Sequence, residues 1–65
     1  MKQLRIIVKV NQDSYHKYHS KNLLSFVKFL DKDYPTWRWF NVYDSDSGYQ
    51  LANYTINRRP TKKVP

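Results

Sequence analysis

The first segment of the chain alternates between apolar and mostly polar positions, which predicts a β-strand with one buried face. Its regularly spaced apolar positions are Leu4, Ile6, Val8 and Val10. Residues 11–14 are turn formers, and the Tyr-His-Lys-Tyr-His stretch over residues 15–19 follows them. That stretch is compatible with a second strand or with the first turns of a helix. Its aromatic content and the preceding turn favour the strand.

A helical repeat dominates the next part of the chain. Apolar residues recur there with the i, i+3, i+4, i+7 spacing of one helical face, at Leu23, Phe26, Val27 and Leu30. Ser20 is a favourable N-cap residue. Pro35 disfavours the helical conformation at Tyr34. These limits predict a helix over residues 21–33.

Two β-prone segments follow the helix and flank a loop of turn residues. Residues 37–43 are rich in aromatic side chains, residues 44–48 form the loop, and residues 49–56 form the return strand. Gly48 in the loop can adopt a positive φ. The segment order predicts an α+β fold, in which an antiparallel sheet of three or four strands carries one helix on one face. The order is ββαββ, or βαββ if the ambiguous stretch is helical.

The predicted domain covers residues 1–57. Residues 58–65 contain two prolines and four basic residues, Arg58, Arg59, Lys62 and Lys63. They offer little apolar area to bury, so we expect a flexible basic tail.

One helix covers only one side of a sheet, so the other side meets water or a partner. If Tyr43 pairs with Tyr49, both tryptophans share a face with Asn41 and Asn53. A buried amide without a partner costs about 1–3 kcal/mol, which favours placing this face away from the helix. The opposite face would then pack on the helix through Phe40, Val42, Ala52, Tyr54 and Ile56. In the alternative register both tryptophans belong to the core, as small domains often require.

Composition narrows the possible functions. The chain has 65 residues, no Cys, 17% aromatic residues and a formal net charge of +7. It is one domain, too small for a deep catalytic cleft with a cofactor domain. The lack of Cys excludes a disulfide or thiolate-metal framework. No apolar run approaches a signal peptide or a membrane span, so we expect a cytoplasmic protein with no membrane partner.

Exposed aromatic rings interleaved with cations are typical of surfaces that bind single-stranded nucleic acid. The sequence therefore predicts a non-enzymatic, basic binding module for nucleic acid. Its candidate binding residues are Arg5, Lys9, Trp37, Trp39, Tyr43, Tyr49, Arg58, Arg59, Lys62 and Lys63. The alternative is a protein-interaction module that uses the same face, either as a monomer on a protein partner or as a homodimer.

Motifs for catalysis or metal binding are not matched. Residues 44–48 begin like the calcium-binding loop of an EF-hand, which requires Gly at its sixth position and Glu at its twelfth. In this chain Gly48 stands at the fifth position and Thr55 at the twelfth, so the motif is not matched. His16 and His19 have no Cys, Glu or third His nearby in the sequence. There is also no nucleophile elbow and no Gly-rich phosphate loop. We therefore expect no enzymatic activity, no cofactor and no metal site.

Residues 35–55 carry a resemblance to a known group of proteins. The segment reading PTWRWFNVYD from Pro35 to Asp44, followed by SGYQLA from Ser47 to Ala52, looks like small uncharacterised proteins encoded by phages and prophages of Gram-positive bacteria. The resemblance implies an accessory or host-interaction role. It assigns no functional residues.

Overall fold

A computed structural model describes residues 3–65 as four strands and one helix. The elements are β1 (Leu4–Lys9), β2 (Tyr15–Ser20), α1 (Leu23–Asp33), β3 (Trp39–Asp44) and β4 (Gln50–Thr55). The strands form one antiparallel sheet in the order β2-β1-β3-β4. The ββαββ prediction is confirmed, including the strand over residues 15–19. Residues 1 and 2, which the predicted domain 1–57 includes, lie outside the described part of the chain.

The helix begins two residues later than predicted, because Asn22 rather than Ser20 is its N-cap. The Asn22 side-chain oxygen accepts hydrogen bonds from the backbone N–H groups of Leu24 and Ser25, at 3.0 and 3.2 Å. The Ser20 hydroxyl instead accepts the Asn22 N–H at 3.1 Å and so fixes the turn that precedes the cap. The helix ends at Asp33, as predicted.

The core lies between α1 and one face of the sheet. Fully or almost fully buried residues come from the predicted helical stripe and from alternate positions of the two central strands: Leu23, Phe26, Val27, Leu30, Ile6, Val8, Phe40 and Val42. The Phe40 ring lies at the centre, with ring centroids 5.2 Å from Phe26, 5.4 Å from Trp37 and 5.3 Å from Tyr54. Contacts among aromatic rings therefore fill much of this small core.

In β4 the predicted core positions are only partly buried. Ala52 and Tyr54 pack against the core as half-buried residues. Ile56 is 39% exposed, so its predicted place under the helix was wrong. The strand ends at Thr55, and Ile56 lies in the turn that follows, where strand alternation no longer sets its direction.

Strands β3 and β4 pair two residues away from the expected register. Asn41 lies opposite Asn53, whereas a Tyr43–Tyr49 pair would place it opposite Leu51. The ladder is irregular between Val42 and Tyr43, so that Tyr43 lies opposite Gln50, one residue away from the expected partner Tyr49. Because a shift of two residues is even, the side chains of the strand body keep their predicted faces.

Trp37 requires the largest correction, because the sequence placed it on the face away from the helix. Strand β3 begins only at Trp39, so strand alternation does not extend back to residue 37. The Trp37 N–H donates to the Tyr34 carbonyl at 2.9 Å in the turn after α1, and its side chain is 1% exposed. The indole Nε1–H donates to the Asp31 carboxylate at 3.2 Å. A buried indole N–H needs such an acceptor.

The segment after β4 packs along α1. The Arg59 guanidinium donates to both carboxylate oxygens of Asp31, at 2.8 and 3.2 Å, near the end of the helix. Pro60 is buried, and the Lys63 carbonyl accepts the Leu23 N–H at 2.7 Å where the helix begins. The segment thus runs antiparallel to α1 from one end to the other. The expectation that it has little to bury is wrong at Pro60, whereas its flexibility stays a prediction.

Asp31 joins the buried indole to this C-terminal segment. The Arg59 guanidinium carbon also lies 5.7 Å from the centre of the Trp37 ring, a favourable cation–π distance. The hydrogen bonds from Arg59, and after them the bond from Trp37, hold the pKa of Asp31 below its ordinary value of 3.8. One exposed carboxylate therefore holds two groups that are distant in sequence.

Replacing Trp37 by Ala should destabilise the fold by about 3–5 kcal/mol, as for other buried aromatic residues. So large a loss is comparable to the whole stability of a domain of this size. Trp39→Ala is the matched control and should cost much less, since Trp39 is only half-buried on the other side of the sheet. Thermal melts followed by circular dichroism measure both. Equal losses in the two variants would contradict the assignment of Trp37 to the core.

Asp31→Asn should make the protein less stable at neutral pH and less sensitive to acid. Because the folded pKa of Asp31 is depressed, its ionised form stabilises the fold above the unfolded pKa. That contribution disappears as the pH falls through the folded pKa. Urea midpoints at about pH 6 and about pH 2 measure the change. Asp13→Asn, in the exposed loop after β1, is the control and should behave like wild type. The prediction is refuted if acidification lowers the urea midpoint of Asp31→Asn as much as that of wild type.

Candidate nucleic-acid interface

The side of the sheet away from α1, called the open face here, consists of alternate residues of all four strands. These are Arg5, Ile7, Lys9, Tyr15, Lys17, His19, Trp39, Asn41, Tyr43, Leu51, Asn53 and Thr55. None of these strand positions carries a carboxylate, whereas β1 carries Arg5 and Lys9 and β2 carries Lys17. The exposed surface of α1 instead mixes Lys28 and Lys32 with Asp31 and Asp33. The strand positions of the open face therefore differ from the exposed surface of α1, because they carry positive charge and no carboxylate.

One end of the open face brings a cation and two aromatic rings together. Lys9 pairs with Tyr15 on one side and with Trp39 on the other. The Lys9 Nζ lies 5.2 Å from the Tyr15 ring centroid, and the two rings meet edge to face with centroids 5.9 Å apart. Tyr15 is 58% exposed, and Trp39 is half-buried. This aromatic corner, formed by Lys9, Tyr15 and Trp39, offers both π surface and charge to a ligand.

The middle of the open face holds a chain of polar side chains, named the amide row. Arg58 Nη2 donates to Asn53 Oδ1 at 3.0 Å. Asn53 Nδ2 then donates to Asn41 Oδ1 at 2.6 Å, and Asn41 Nδ2 donates to the Tyr43 hydroxyl at 3.3 Å. The two asparagines that were expected on this face therefore face each other across β3 and β4.

Arg58 reaches the open face through a tight turn after β4. Thr55 and Arg58 exchange backbone hydrogen bonds, each 3.1 Å long, so the chain reverses at residues 56 and 57. Arg58 then reaches Asn53, while Arg59 bonds Asp31. The two consecutive arginines therefore bond groups on opposite sides of the sheet.

The structure brings together five of the candidate residues predicted from the sequence. They are Arg5, Lys9, Trp39, Tyr43 and Arg58, all on the open face or bonded to it. Trp37 and Arg59 lie on the helix side instead, because the turn before β3 buries the first and Asp31 holds the second. The predicted place of Trp37 on this face is therefore wrong, whereas Arg59 was predicted to act from the basic tail and not from this face.

The remaining candidates lie outside the strands. Tyr49 is 76% exposed at the end of the hairpin loop, where its carbonyl accepts the Asp44 N–H at 2.9 Å. Lys62 and Lys63 are exposed, and the Lys63 carbonyl bonds the first residue of α1. The backbone thus places Lys63 at the beginning of α1, away from the amide row.

Three open-face residues of β2, Tyr15, Lys17 and His19, were missed by the analysis of the sequence. Exposed and half-buried residues alternate along β2, with Tyr15, Lys17 and His19 on the exposed side. In the sequence these residues fall in the stretch that could be strand or helix, and alternation assigns a face only once the stretch is known to be a strand.

The two histidines of β2 lie on opposite faces of the sheet. His16 packs against Tyr34 with ring centroids 5.2 Å apart, while His19 is exposed. Burial, followed by a hydrogen bond with Tyr34, raises the pKa of the neighbouring Tyr18 to about 12. Within residues 3–65, no three His, Asp, Glu or Cys side chains come together as a metal site would require. In that same part of the chain, no helix is both long and apolar enough to cross a membrane.

Comparison of the chain with protein-family models, with curated proteins and with solved structures gives no match. The resemblance to small phage and prophage proteins stays a prediction.

Relative to the quenching of free N-acetyltryptophanamide by the same ion, iodide should quench Trp39 more strongly than caesium does, because a positive surface concentrates anions. Trp37 is buried and should respond weakly to both ions. The difference between wild type and Trp39→Phe isolates the Trp39 signal. Added sodium chloride should reduce the preference for iodide, since salt screens exposed charges. Equal quenching of Trp39 by the two ions at low salt, each taken relative to N-acetyltryptophanamide, would show that the open face lacks the expected potential.

Proposed function

We propose that the protein is a non-enzymatic module that binds single-stranded nucleic acid on the open face of its sheet. One observation carries the proposal. The strand positions of this face combine three cations, Arg5, Lys9 and Lys17, with exposed or half-buried rings and include no carboxylate. Phosphates and bases need these two components side by side.

The shape of the surface favours single strands over duplexes. A sheet face offers a flat platform on which unpaired bases can stack, and stacking on an aromatic side chain contributes about 1–3 kcal/mol per base. Bases within a duplex are already stacked on each other and present only their edges. Tyr15 and Trp39 at the aromatic corner are the proposed stacking residues, and Tyr43 lies further along the same strand as Trp39.

The positions of the cations support a path for a phosphate backbone across the sheet. Arg5 and Lys9 lie at the two ends of the open side of β1, and Lys17 pairs with Ile7 between them. Arg58 adds a charge at the β4 edge, where it bonds Asn53. Arg59 is excluded from this role, because both of its hydrogen bonds to Asp31 lie on the other side of the sheet.

A protein partner on the same face is the second hypothesis. Leu51 is 47% exposed there, and Ile7 is half-buried at the centre of the face. A face-to-face homodimer would bring identical sets of cations together without carboxylates between them, which is unfavourable. A protein partner would therefore have to be acidic, and the nucleic-acid hypothesis accounts better for the aromatic corner.

Titration of the full chain with oligodeoxythymidylate of roughly 10 nucleotides tests the proposal. Affinity should fall steeply with salt, because each phosphate contact on a single strand contributes about 0.7 to the slope of log affinity against log salt. Lys9→Gln and Lys17→Gln should each lower that slope by about 0.7. Lys28→Gln is the matched control, since Lys28 is exposed on α1, and it should leave the slope unchanged.

Trp39→Ala forms the second arm of the same titration. It should weaken binding by about 1–3 kcal/mol through the loss of base stacking, while the salt slope stays as in wild type. A folded Trp39→Ala protein that binds like wild type would remove the aromatic corner from the interface. A wild type with no affinity for any oligonucleotide at low salt would refute the nucleic-acid proposal and leave the acidic protein partner.

A further inference from the structure

The outer edge of β2 presents backbone hydrogen-bonding groups that point away from the sheet. Strand β2 is the last strand on its side, and within residues 3–65 no strand lies beyond it. The Val10 N–H bonds the Ser14 carbonyl just before β2 begins. Counted from that pair along the antiparallel register, every second residue of β2 bonds β1. The N–H and C=O groups of the residues between them, Tyr15, Lys17 and His19, therefore point outwards.

The helix side of this edge is a shallow apolar groove between β2 and α1. The groove has a volume of about 410 Å³ and is lined by Tyr18, His19, Ser20, Ser25, Phe26 and Phe29. Phe26 is buried, whereas Tyr18 and Phe29 are half-buried and have ring centroids 5.3 Å apart. Side chains alternate between the two faces of a strand. Every second side chain of a strand added to β2 would therefore point into this aromatic groove.

The charge around the edge is positive on its open-face side. From residue 14 to residue 30 the chain carries Lys17, Lys21 and Lys28 and no carboxylate. Lys17 stands in the middle of β2 with its side chain on the open face. On the helix side, burial and, among weaker causes, the charge of Asp33 raise the pKa of Tyr18 to about 12. The edge thus favours carboxylates beside Lys17 and apolar side chains in the groove.

We propose that the β2 edge binds an extended peptide segment of a partner protein, which adds antiparallel to β2 and alternates acidic with apolar residues. Strand addition of this kind takes its affinity from main-chain hydrogen bonds and its specificity from alternate side chains. A phosphate accepts hydrogen bonds but has none to donate to the outward carbonyls, so this edge suits a peptide better than a nucleic acid. A second copy of β2 offers Lys17 and no carboxylate. The site adjoins the open face and does not depend on the proposed function.

Antiparallel pairing assigns a different role to each set of peptide residues. Residues directly opposite Lys17 and His19 share their face and exchange backbone hydrogen bonds with them. These are the acidic positions, and their N–H groups point at β2. The apolar residues between them direct their side chains to the groove and their N–H groups away from β2. Methylation of the peptide nitrogens therefore distinguishes the two sets.

The test uses a fluorescently labelled peptide of alternating Glu and Val with the length of β2, six residues. Anisotropy at low salt measures its binding to the full chain. A peptide of the same composition with its Glu residues placed together is the control and should bind much more weakly. N-methylation of a central Glu should weaken binding at least about fivefold through loss of a backbone hydrogen bond. N-methylation of a neighbouring Val should leave most of the affinity.

Variants of the protein locate the site. Lys17→Glu should weaken binding of the alternating peptide at least about threefold, because it places like charges opposite each other. Lys62→Glu is the matched control for net charge, since Lys62 is exposed in the C-terminal segment, and it should have a smaller effect. Trp39→Ala should bind the peptide like wild type, which separates the β2 edge from the aromatic corner.

The outcomes that contradict the inference are specific. No binding of the alternating peptide, or equal binding of the alternating and reordered peptides, overturns it. Equal losses in Lys17→Glu and Lys62→Glu reduce the binding to net charge and overturn the site. Loss of affinity on methylation of Val instead of Glu overturns the antiparallel pairing. A protein that binds the peptide and no oligonucleotide refutes the proposed function and leaves this inference standing.

Discussion

The whole structure depends on a mismatch between one short helix and a four-stranded sheet. Helix α1 is 11 residues long and can cover a single face, so the sheet has one dry side and one wet side. The dry side concentrates the large apolar residues around Phe40. The wet side is free to collect cations and polar amides, which would destabilise a core. Charge and hydrophobicity are thus separated by the sheet itself.

Asp31 fixes which residues outside the strands lie on the helix side of the sheet. Its carboxylate satisfies the indole N–H of buried Trp37 and holds Arg59, 28 residues further along the chain. The same contact that completes the core therefore directs the C-terminal segment along the helix. It also removes one of two adjacent arginines from the wet side, while the turn at residues 55–58 delivers Arg58 to it.

Much of the fold could be predicted because it follows from local periodicity. The stripe from Leu23 to Leu30 and the alternation along β1 each mark a buried face without knowledge of any partner. The helix start was misplaced because Ser20 and Asn22 are both good caps, and only their hydrogen bonds show which one acts. The face of Asn41 and Asn53 could be predicted from the cost of burying amides, even though the register was two residues off.

What the sequence could not provide depends on contacts between distant residues. The position of Trp37 is set by where β3 begins and by an acceptor on the preceding helix, neither of which is visible in the pattern of residues 37–43. The separation of Arg58 from Arg59 requires the turn geometry after β4. The amide row likewise needs the true register, because only then do the two asparagines meet.

Strand β2 gives the molecule an edge that another chain could extend, since its outer backbone groups have no neighbouring strand among residues 3–65. Exposed edges of this kind promote aggregation. Here Lys17 stands in the middle of the edge strand, and polar histidines occupy both of its faces. A second copy that paired antiparallel in the register centred on residue 17 would bring two Lys17 ammonium groups side by side. The positive charge of this face therefore also opposes growth of the sheet into a fibril.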